Sequence, residues 1–192
     1  MDRFAFFFGF YGLLLGLAVT ELLNGLGSLA RAGELKRLGA QSALLALLLL
    51  IVLCDTWIDA WASLRNVPLN FSGLWAPILL ALLYYLAAAI TFPKNPAEWR
   101  TLDEYFDKRK SLVASLMLAA EFTVNYSYSS VFTTDYYNDP HRFWYWDIPY
   151  NVAIKLVLLT LIFAKGRRAN IAALSIAIIL YFVPYWSRNA TG

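Results

Sequence analysis

The sequence predicts an all-α membrane protein, a single domain in which six transmembrane helices form a polytopic bundle with one short amphipathic cytoplasmic helix. Hydrophobic residues make up 60% of the 192-residue chain and charged residues only 15%, with a mean hydropathy of +0.54. Soluble domains are about a quarter charged. Apolar runs of membrane-spanning length and an uneven distribution of Lys and Arg between the connections complete the prediction.

Six runs are long enough to cross a bilayer, because a hydrocarbon core about 30 Å thick takes roughly 20 helical residues. The predicted spans are residues 4–29, 42–63, 74–92, 112–132, 143–164 and 169–186. The first run has no small-residue cleavage site and is too long for a cleavable signal peptide. Pro93 and Pro96 end the third span, and Pro184 kinks or ends the last turn of the sixth.

The connection after the third span carries the amphipathic helix. Asn95-Pro-Ala-Glu98 has the form of a helix start, with Asn as the cap and Pro at the first helical position. Trp99, Leu102 and Phe106 then fall on one helical face. This face either lies in the lipid headgroup layer or packs beneath the bundle.

The cations predict the orientation. Six spans place eleven of the 16 Lys and Arg on one side of the membrane: Arg31, Lys36, Arg37, Lys94, Arg100, Lys108, Arg109, Lys110, Lys165, Arg167 and Arg168. The opposite side holds Arg3, Arg65, Arg142 and Arg188. The positive-inside rule puts the richer side in the cytoplasm and both termini outside. The net charge of +3 then indicates attraction to anionic membrane lipid, and no nucleic-acid partner is expected.

Five ionisable residues lie within the spans, away from their ends: Glu21, Asp55, Asp59, Glu121 and Lys155. A charge at this depth costs on the order of 3 kcal/mol, so such side chains normally face a bundle interior or a cavity. Asp55 and Asp59 are four residues apart and share a helical face. Trp57 and Trp61 lie on the opposite face and are predicted to point toward lipid.

Further polar residues extend these faces. Asp147 and Asn151 precede Lys155 at four-residue steps, Asn125 and Tyr128 follow Glu121, and Asn24 follows Glu21. His141 and Tyr128 are predicted at the outer rim of the bundle. Counting from the outer boundary at about 1.5 Å per residue brings Asp55, Glu121 and Lys155 to similar depths. Lys155 is therefore expected to neutralise Asp55 or Glu121.

The five ionisable residues within the spans are four acids and one lysine, and this excess of acids suggests a function. The excess carboxylates must be protonated, hydrated or bound to a cation. The sequence thus favours a channel or transporter for a small monovalent cation or a proton, with an acidic cavity open to the outer face. The alternative is a non-catalytic sensor or partner-binding membrane protein whose buried polar network is structural.

The sequence contains few residues or motifs typical of an enzyme. His141 is the only histidine, Cys54 the only cysteine, and neither a G-x-S-x-G nor an H-E-x-x-H motif occurs. Asp55 with Asp59 as a catalytic pair, and a metal held by Asp59, His141 and Asp147, stay open as weaker alternatives. No cofactor and no bound metal are predicted, and a non-enzyme is favoured.

Small residues predict close helix packing in the first span. Gly9, Gly12 and Gly16 form a stripe that allows another helix to approach, either within the chain or in a homo-oligomer.

One segment resembles a stretch found in small uncharacterised bacterial membrane proteins. The matching residues are Leu83-Tyr-Tyr-Leu-Ala-Ala-Ala, Phe92-Pro, Pro96-Ala-Glu-Trp99, Leu102-Asp-Glu-Tyr-Phe106 and Lys108-Arg-Lys110. The resemblance covers about a sixth of the chain and implies a bacterial inner-membrane setting. No activity and no residue role come with it.

Overall fold

The computed structural model describes residues 3–63, 71–127 and 138–189. It is all-helical over these residues, without strands. The long helices are α1 (Arg3–Arg31), α2 (Ala40–Ser63), α3 (Phe71–Ala89), α4 (Leu102–Ser127), α5 (Pro140–Phe163) and α6 (Arg167–Asn189). Short 3₁₀ turns at Glu34–Arg37 and Pro96–Glu98 lie in two of the connections, and α5 contains a π-helical turn at Phe143–Asp147. Helix α6 continues past Pro184, so that proline does not end it.

The separate amphipathic helix of the sequence prediction is wrong. Pro96–Glu98 forms a single 3₁₀ turn, and Trp99 is extended, so no α-helix starts at Asn95. The amphipathic residues instead form the first turns of α4, which continues unbroken to Ser127. The start of α4 is capped by Thr101, whose Oγ1 accepts a hydrogen bond of 3.1 Å from the Glu104 amide. Thr101 and Glu104 have the Thr-x-x-Glu spacing of a capping box.

The apolar face at the start of α4 packs inside the bundle. Leu102 and Phe106 are each only 2% exposed. Trp99 is half-buried, and its ring contacts Tyr105 edge to face at 4.9 Å between centroids. Of the two alternatives left by the sequence, packing beneath the bundle is therefore confirmed for Leu102 and Phe106.

The six helices pack in a closed order. Helix α1 contacts α3, α3 contacts α4, α4 contacts α5, α5 contacts α6, α6 contacts α2, and α2 returns to α1. Helix α2 also contacts α3 and α4. Because α2 has neighbours on four helices, it occupies the inner part of the bundle, and it carries more of the large fully buried leucines than any other described helix: Leu45, Leu48, Leu49 and Leu53.

Side-chain contacts show which helix ends lie together. At one end, Phe4 and Phe8 of α1 pack on Trp61 of α2, and Trp75 of α3 packs on Tyr126 of α4. Lys110 near the start of α4 bonds to Asn170 near the start of α6 at the other end. Successive helices thus run in alternating directions, which places the eleven clustered cations at the Lys110 end.

Three helices are long and apolar enough to cross a membrane: Phe4–Arg31, Ala40–Trp61 and Pro140–Phe163. A fourth apolar helix, Gly73–Ala89, is shorter. Large apolar side chains also face outward on α4 and α6, including Leu112, Phe122, Ile176 and Ile179. A surface of this kind is unsuited to water and typical of contact with lipid.

Candidate mid-bundle polar site

A group of polar side chains lies at the centre of the bundle, and every long helix contributes to it. Its members, called here the mid-bundle cluster, are Tyr11, Asp55, Thr56, Tyr84, Glu121, Lys155 and Tyr181. Tyr11, Tyr84 and Tyr181 are at most 3% exposed, and Thr56 and Glu121 are also buried. Three of the residues proposed from sequence, Asp55, Glu121 and Lys155, are therefore brought together.

Glu121 on α4 is the most deeply buried carboxylate of the cluster, with 8% of its surface exposed. The Tyr181 hydroxyl of α6 donates a hydrogen bond of 2.5 Å to its Oε1. Asp55 of α2 and Lys155 of α5 both lie within electrostatic range of Glu121. The carboxylate thus has a hydroxyl donor, a like charge and an opposite charge around it.

Tyr84 connects Glu121 to α2. Its hydroxyl is hydrogen-bonded to that of Thr56, and it lies within electrostatic range of Glu121 and Asp55. A buried Tyr hydroxyl normally has a hydrogen-bond partner, and here the partner fixes the register of α3 against α2.

Lys155 joins the cluster along α5. Its Nζ donates hydrogen bonds of 3.3 Å to the Asn151 backbone oxygen and to Asn151 Oδ1, and it lies 5.9 Å from the centroid of the Phe122 ring. Asn151 Nδ2 in turn donates to the Asp147 backbone oxygen at 2.9 Å. The predicted polar face of Asp147, Asn151 and Lys155 is thus continuous, although the Lys155 hydrogen bonds go to Asn151 and not to an acid.

Asn125 lies one turn beyond Glu121 on α4. Its Oδ1 is buried and has no hydrogen-bond partner among the described residues. This amide oxygen can therefore still accept a hydrogen bond or bind a cation.

The outer approach to the cluster holds two further acids. Asp59 is half-buried one turn beyond Asp55. The carboxylate of Asp147 lies 3.9 Å from Arg142 Nε. His141 is exposed and stacks on Tyr145 at 4.4 Å between ring centroids. The prediction for Tyr128 lies outside the described residues.

Other predicted residues lie away from the cluster. Glu21 is half-buried and Asn24 exposed. Glu21 is ten residues beyond Tyr11, which corresponds to roughly 15 Å along α1. The structure therefore does not bring this pair to the mid-bundle cluster.

The glycine stripe has a smaller role in this chain than the sequence predicts. A Cβ added at Gly12 would lie 3.0 Å from Trp57 Nε1, whereas a Cβ at Gly9 or Gly16 would meet nothing within 4 Å. Among the glycines of α1, the tightest contact is at Gly25, where a Cβ would lie 2.7 Å from the ring of Phe92, three residues beyond the end of α3. Gly25 packs α1 against the end of α3.

A second polar group, called here the cation-rich-end cluster, lies at the end of the bundle that carries the eleven clustered cations. Lys110 Nζ donates hydrogen bonds to Asn170 Oδ1 at 2.7 Å and to the Ala164 backbone oxygen. Asn170 Nδ2 donates to Gln41 Oε1 at 2.7 Å. Burial lowers the pKa of Lys110, and the nearby Asp107 carboxylate partly offsets this. These contacts hold α2, α4, α5 and α6 together.

An apolar layer separates the two clusters. Within the described residues, the buried side chains between them on α2, α4, α5 and α6 are apolar, except Ser42, which is adjacent to Gln41 at the edge of the layer. The layer includes Leu49, Met117, Leu158 and Leu174. Lys110 and Glu121 are 11 residues apart on α4, so the layer is roughly 16 Å thick. The polar interior therefore has two parts that do not connect.

Metal binding finds no support in the described part of the chain, where no group of three or more His, Cys, Asp or Glu side chains could hold an ion. Asp59, His141 and Asp147 do not form such a group.

Sequence reasoning missed the tyrosines of the cluster. Tyrosine is common at membrane interfaces, so residue type alone gave no reason to place Tyr11, Tyr84 or Tyr181 inside the bundle. Tyr84, however, lies at the centre of the predicted third span, where a hydroxyl needs a buried partner. The position of Tyr84 at the centre of a span is therefore the feature of the sequence that could have placed it in the cluster.

The fold defines a class: over the described residues, an all-helical protein with three helices long and apolar enough to span a membrane. Comparisons with family models, with curated proteins and with solved structures find no match to this chain. The resemblance over residues 83–110 stays a prediction.

Proposed function

We propose that the protein is a six-span membrane transporter that binds a proton at Glu121 from the outer face. The observation that carries the proposal is the buried Glu121 carboxylate, which accepts a hydrogen bond from Tyr181 and has Asp55 and Lys155 within electrostatic range. Ionisable residues at membrane depth are functional by default.

Six crossings are supported by the outward surface of the helices. Helices α3, α4 and α6 do not meet the length and hydropathy criteria that α1, α2 and α5 meet within the described residues. They nevertheless alternate in direction with the others and carry exposed large apolar side chains. With six crossings, the cation-rich end lies in the cytoplasm and both termini lie outside.

The surroundings of Glu121 favour a proton over a metal cation. Lys155 lies close enough to repel a metal ion from the carboxylate. The same positive charge stabilises the ionised carboxylate after the proton leaves. Asp59, one turn outward of Asp55, and then Asp55, at a depth similar to that of Glu121, supply successive carboxylates for a proton that enters from the outer face.

The apolar layer favours a transporter over an open channel. A proton at Glu121 has no polar path through Leu49, Met117, Leu158 and Leu174 to the cation-rich-end cluster. Passage therefore requires a change in helix packing that exposes Glu121 to the other side, as in alternating access.

Proton flux into liposomes tests the proposal. Purified protein is reconstituted with an entrapped pH-sensitive dye, and a pH gradient is imposed while the membrane potential is clamped. Glu121→Gln keeps the size of the side chain and an acceptor for Tyr181 but cannot release a proton. We expect this variant to lose at least about tenfold in flux, as expected for removal of a proton-transfer group.

Glu21→Gln is the matched control, because Glu21 is also an acid within a predicted span but lies outside the cluster. We expect its flux to equal that of the wild type. Equal flux in the wild type, in Glu121→Gln and in protein-free liposomes would contradict the proposal.

A second candidate is a non-catalytic membrane protein whose cluster only fixes helix register. The internal pairing of Tyr181 with Glu121, Thr56 with Tyr84 and Asn151 with Lys155 favours it. In that case the wild type conducts nothing, and Glu121→Gln changes only the thermal stability.

A further inference from the structure

A cavity of about 330 Å³ lies at the end of α3, between the Pro96–Glu98 turn and the first turns of α4. Its lining includes Ile90, Phe92, Lys94, Trp99, Tyr105 and Arg109. It belongs to the cation-rich end of the bundle and shares no lining residue with the mid-bundle cluster.

The cavity contains two cations without acidic partners. Lys94 and Arg109 are exposed, and neither forms an ion pair with another described residue. One carboxylate also lines the cavity: Glu98, whose Oε1 accepts a hydrogen bond of 2.9 Å from Asn95 Nδ2 and keeps its charge. Glu104, nearby on α4, pairs with Lys108 at 3.2 Å. Two cations against one carboxylate leave the lining positive, which favours an anion.

Hydrogen bonds fix the walls of the cavity. The Tyr105 hydroxyl donates to the backbone oxygens of Ile90 at 2.8 Å and Phe92 at 3.3 Å. Arg37, from the α1–α2 connection, donates to the backbone oxygens of Trp99 and Arg100. Burial raises the pKa of Tyr105, which keeps its hydroxyl a donor to these carbonyls, although the Arg109 guanidinium partly offsets this. Because these walls are preorganised, ordering them costs little entropy when a ligand binds.

The inner wall is apolar and continues along the outside of α3. Ile78, Leu82 and Leu86 are exposed at four-residue steps, and Ile90 of the cavity is the next residue of this row. Such a row is suited to an acyl chain, and its cationic end is suited to a phosphate. A water-soluble anion makes no use of the apolar row.

We propose that this cavity binds the phosphate of an anionic phospholipid, held by Lys94 and Arg109, with one acyl chain along the apolar row of α3. The site is independent of the Glu121 cluster and requires only that the cation-rich end meets a membrane surface. The guanidinium of Arg109 bonds to two phosphate oxygens at once, and the Lys94 ammonium adds a point charge.

The test compares lipid retention by the full-length protein. The protein is incorporated into nanodiscs of equal parts phosphatidylethanolamine and phosphatidylglycerol, released into detergent, and its retained lipids are quantified by native mass spectrometry. We expect the wild type to retain phosphatidylglycerol preferentially. The double variant Lys94→Gln with Arg109→Gln should lose that preference by roughly tenfold or more, since each cation near a lipid surface adds to binding.

The control is Lys165→Gln with Arg168→Gln, which removes two exposed cations at the same end but outside the cavity. This variant should retain lipid as the wild type does, and so should the charge-conserving variant Lys94→Arg. Equal retention by the Lys94/Arg109 variant and the wild type would overturn the proposal. Saturable binding of inorganic phosphate to the detergent-solubilised protein, without preferential lipid retention, would also overturn it in favour of a soluble anion.

Discussion

Glu121 and Tyr181 show that a charged side chain at membrane depth needs a polar partner. A carboxylate at this depth is costly unless it has partners, and Glu121 has the Tyr181 hydroxyl at 2.5 Å. Position in the span was enough to predict that Asp55, Glu121 and Lys155 face inward. The partners were not predictable in the same way, because any of several polar side chains at similar depth could bond to Glu121.

Two glycines of α1 give a matched test of packing at the residue scale. Gly25→Ala places a methyl group 2.7 Å from the Phe92 ring, and overpacking of this kind costs about 1–3 kcal/mol. Gly16→Ala meets nothing within 4 Å and should be neutral or slightly stabilising, because alanine favours helix more than glycine does.

Thermal unfolding of the two glycine variants in detergent distinguishes them. The account predicts a lower Tm for Gly25→Ala and an unchanged or higher Tm for Gly16→Ala. A loss of stability in Gly16→Ala would show that Gly16 packs against a second copy of the chain, as the glycine stripe originally suggested.

At the scale of elements, α4 shows how a local signal can mislead. Asn95-Pro-Ala-Glu98 matches a helix start, yet it forms only one 3₁₀ turn. Thr101 and Glu104 form the effective start, and the burial of Leu102 and Phe106 continues α4 into the bundle. Two competing caps within nine residues cannot be ranked from the sequence alone, because tertiary packing decides between them.

The cation-rich-end cluster predicts a stability effect across elements. The sequence places Lys110 only among the cations of one side, whereas in the structure it bonds to Asn170 and to the end of α5. Lys110→Met keeps the length of the side chain and removes the donor, which leaves buried acceptors unpaired at a cost of about 1–3 kcal/mol.

Lys108→Met is the control for this substitution, because Lys108 is exposed and pairs only with Glu104 and the Trp99 ring. Its effect should stay within about 0.5 kcal/mol. Chemical unfolding followed by circular dichroism measures both variants, and equal stability of the two would refute the bridging role of Lys110.

At the scale of the whole molecule, the proposed function depends on how many helices cross the membrane. Hydropathy identifies α1, α2 and α5, while α4 carries the charged residues of its first turns and has a lower mean hydropathy. The sequence predicts six spans from six apolar runs, the uneven distribution of cations supports that number, and the structure adds alternating helix directions. The proposed proton site in the mid-bundle cluster does not hold if only three helices cross, because Glu121 on α4 would then not lie at membrane depth.

Labelling of single cysteines tests the six crossings most directly. In a Cys54→Ala background, Lys36→Cys, Ala97→Cys and Lys165→Cys mark the cation-rich end, and Asn138→Cys marks the other. A membrane-impermeant maleimide is added to intact cells. With six crossings, Asn138→Cys alone is labelled until the membrane is permeabilised. With three crossings by α1, α2 and α5, the Ala97→Cys position lies on the outer side, and its labelling in intact cells would contradict the account.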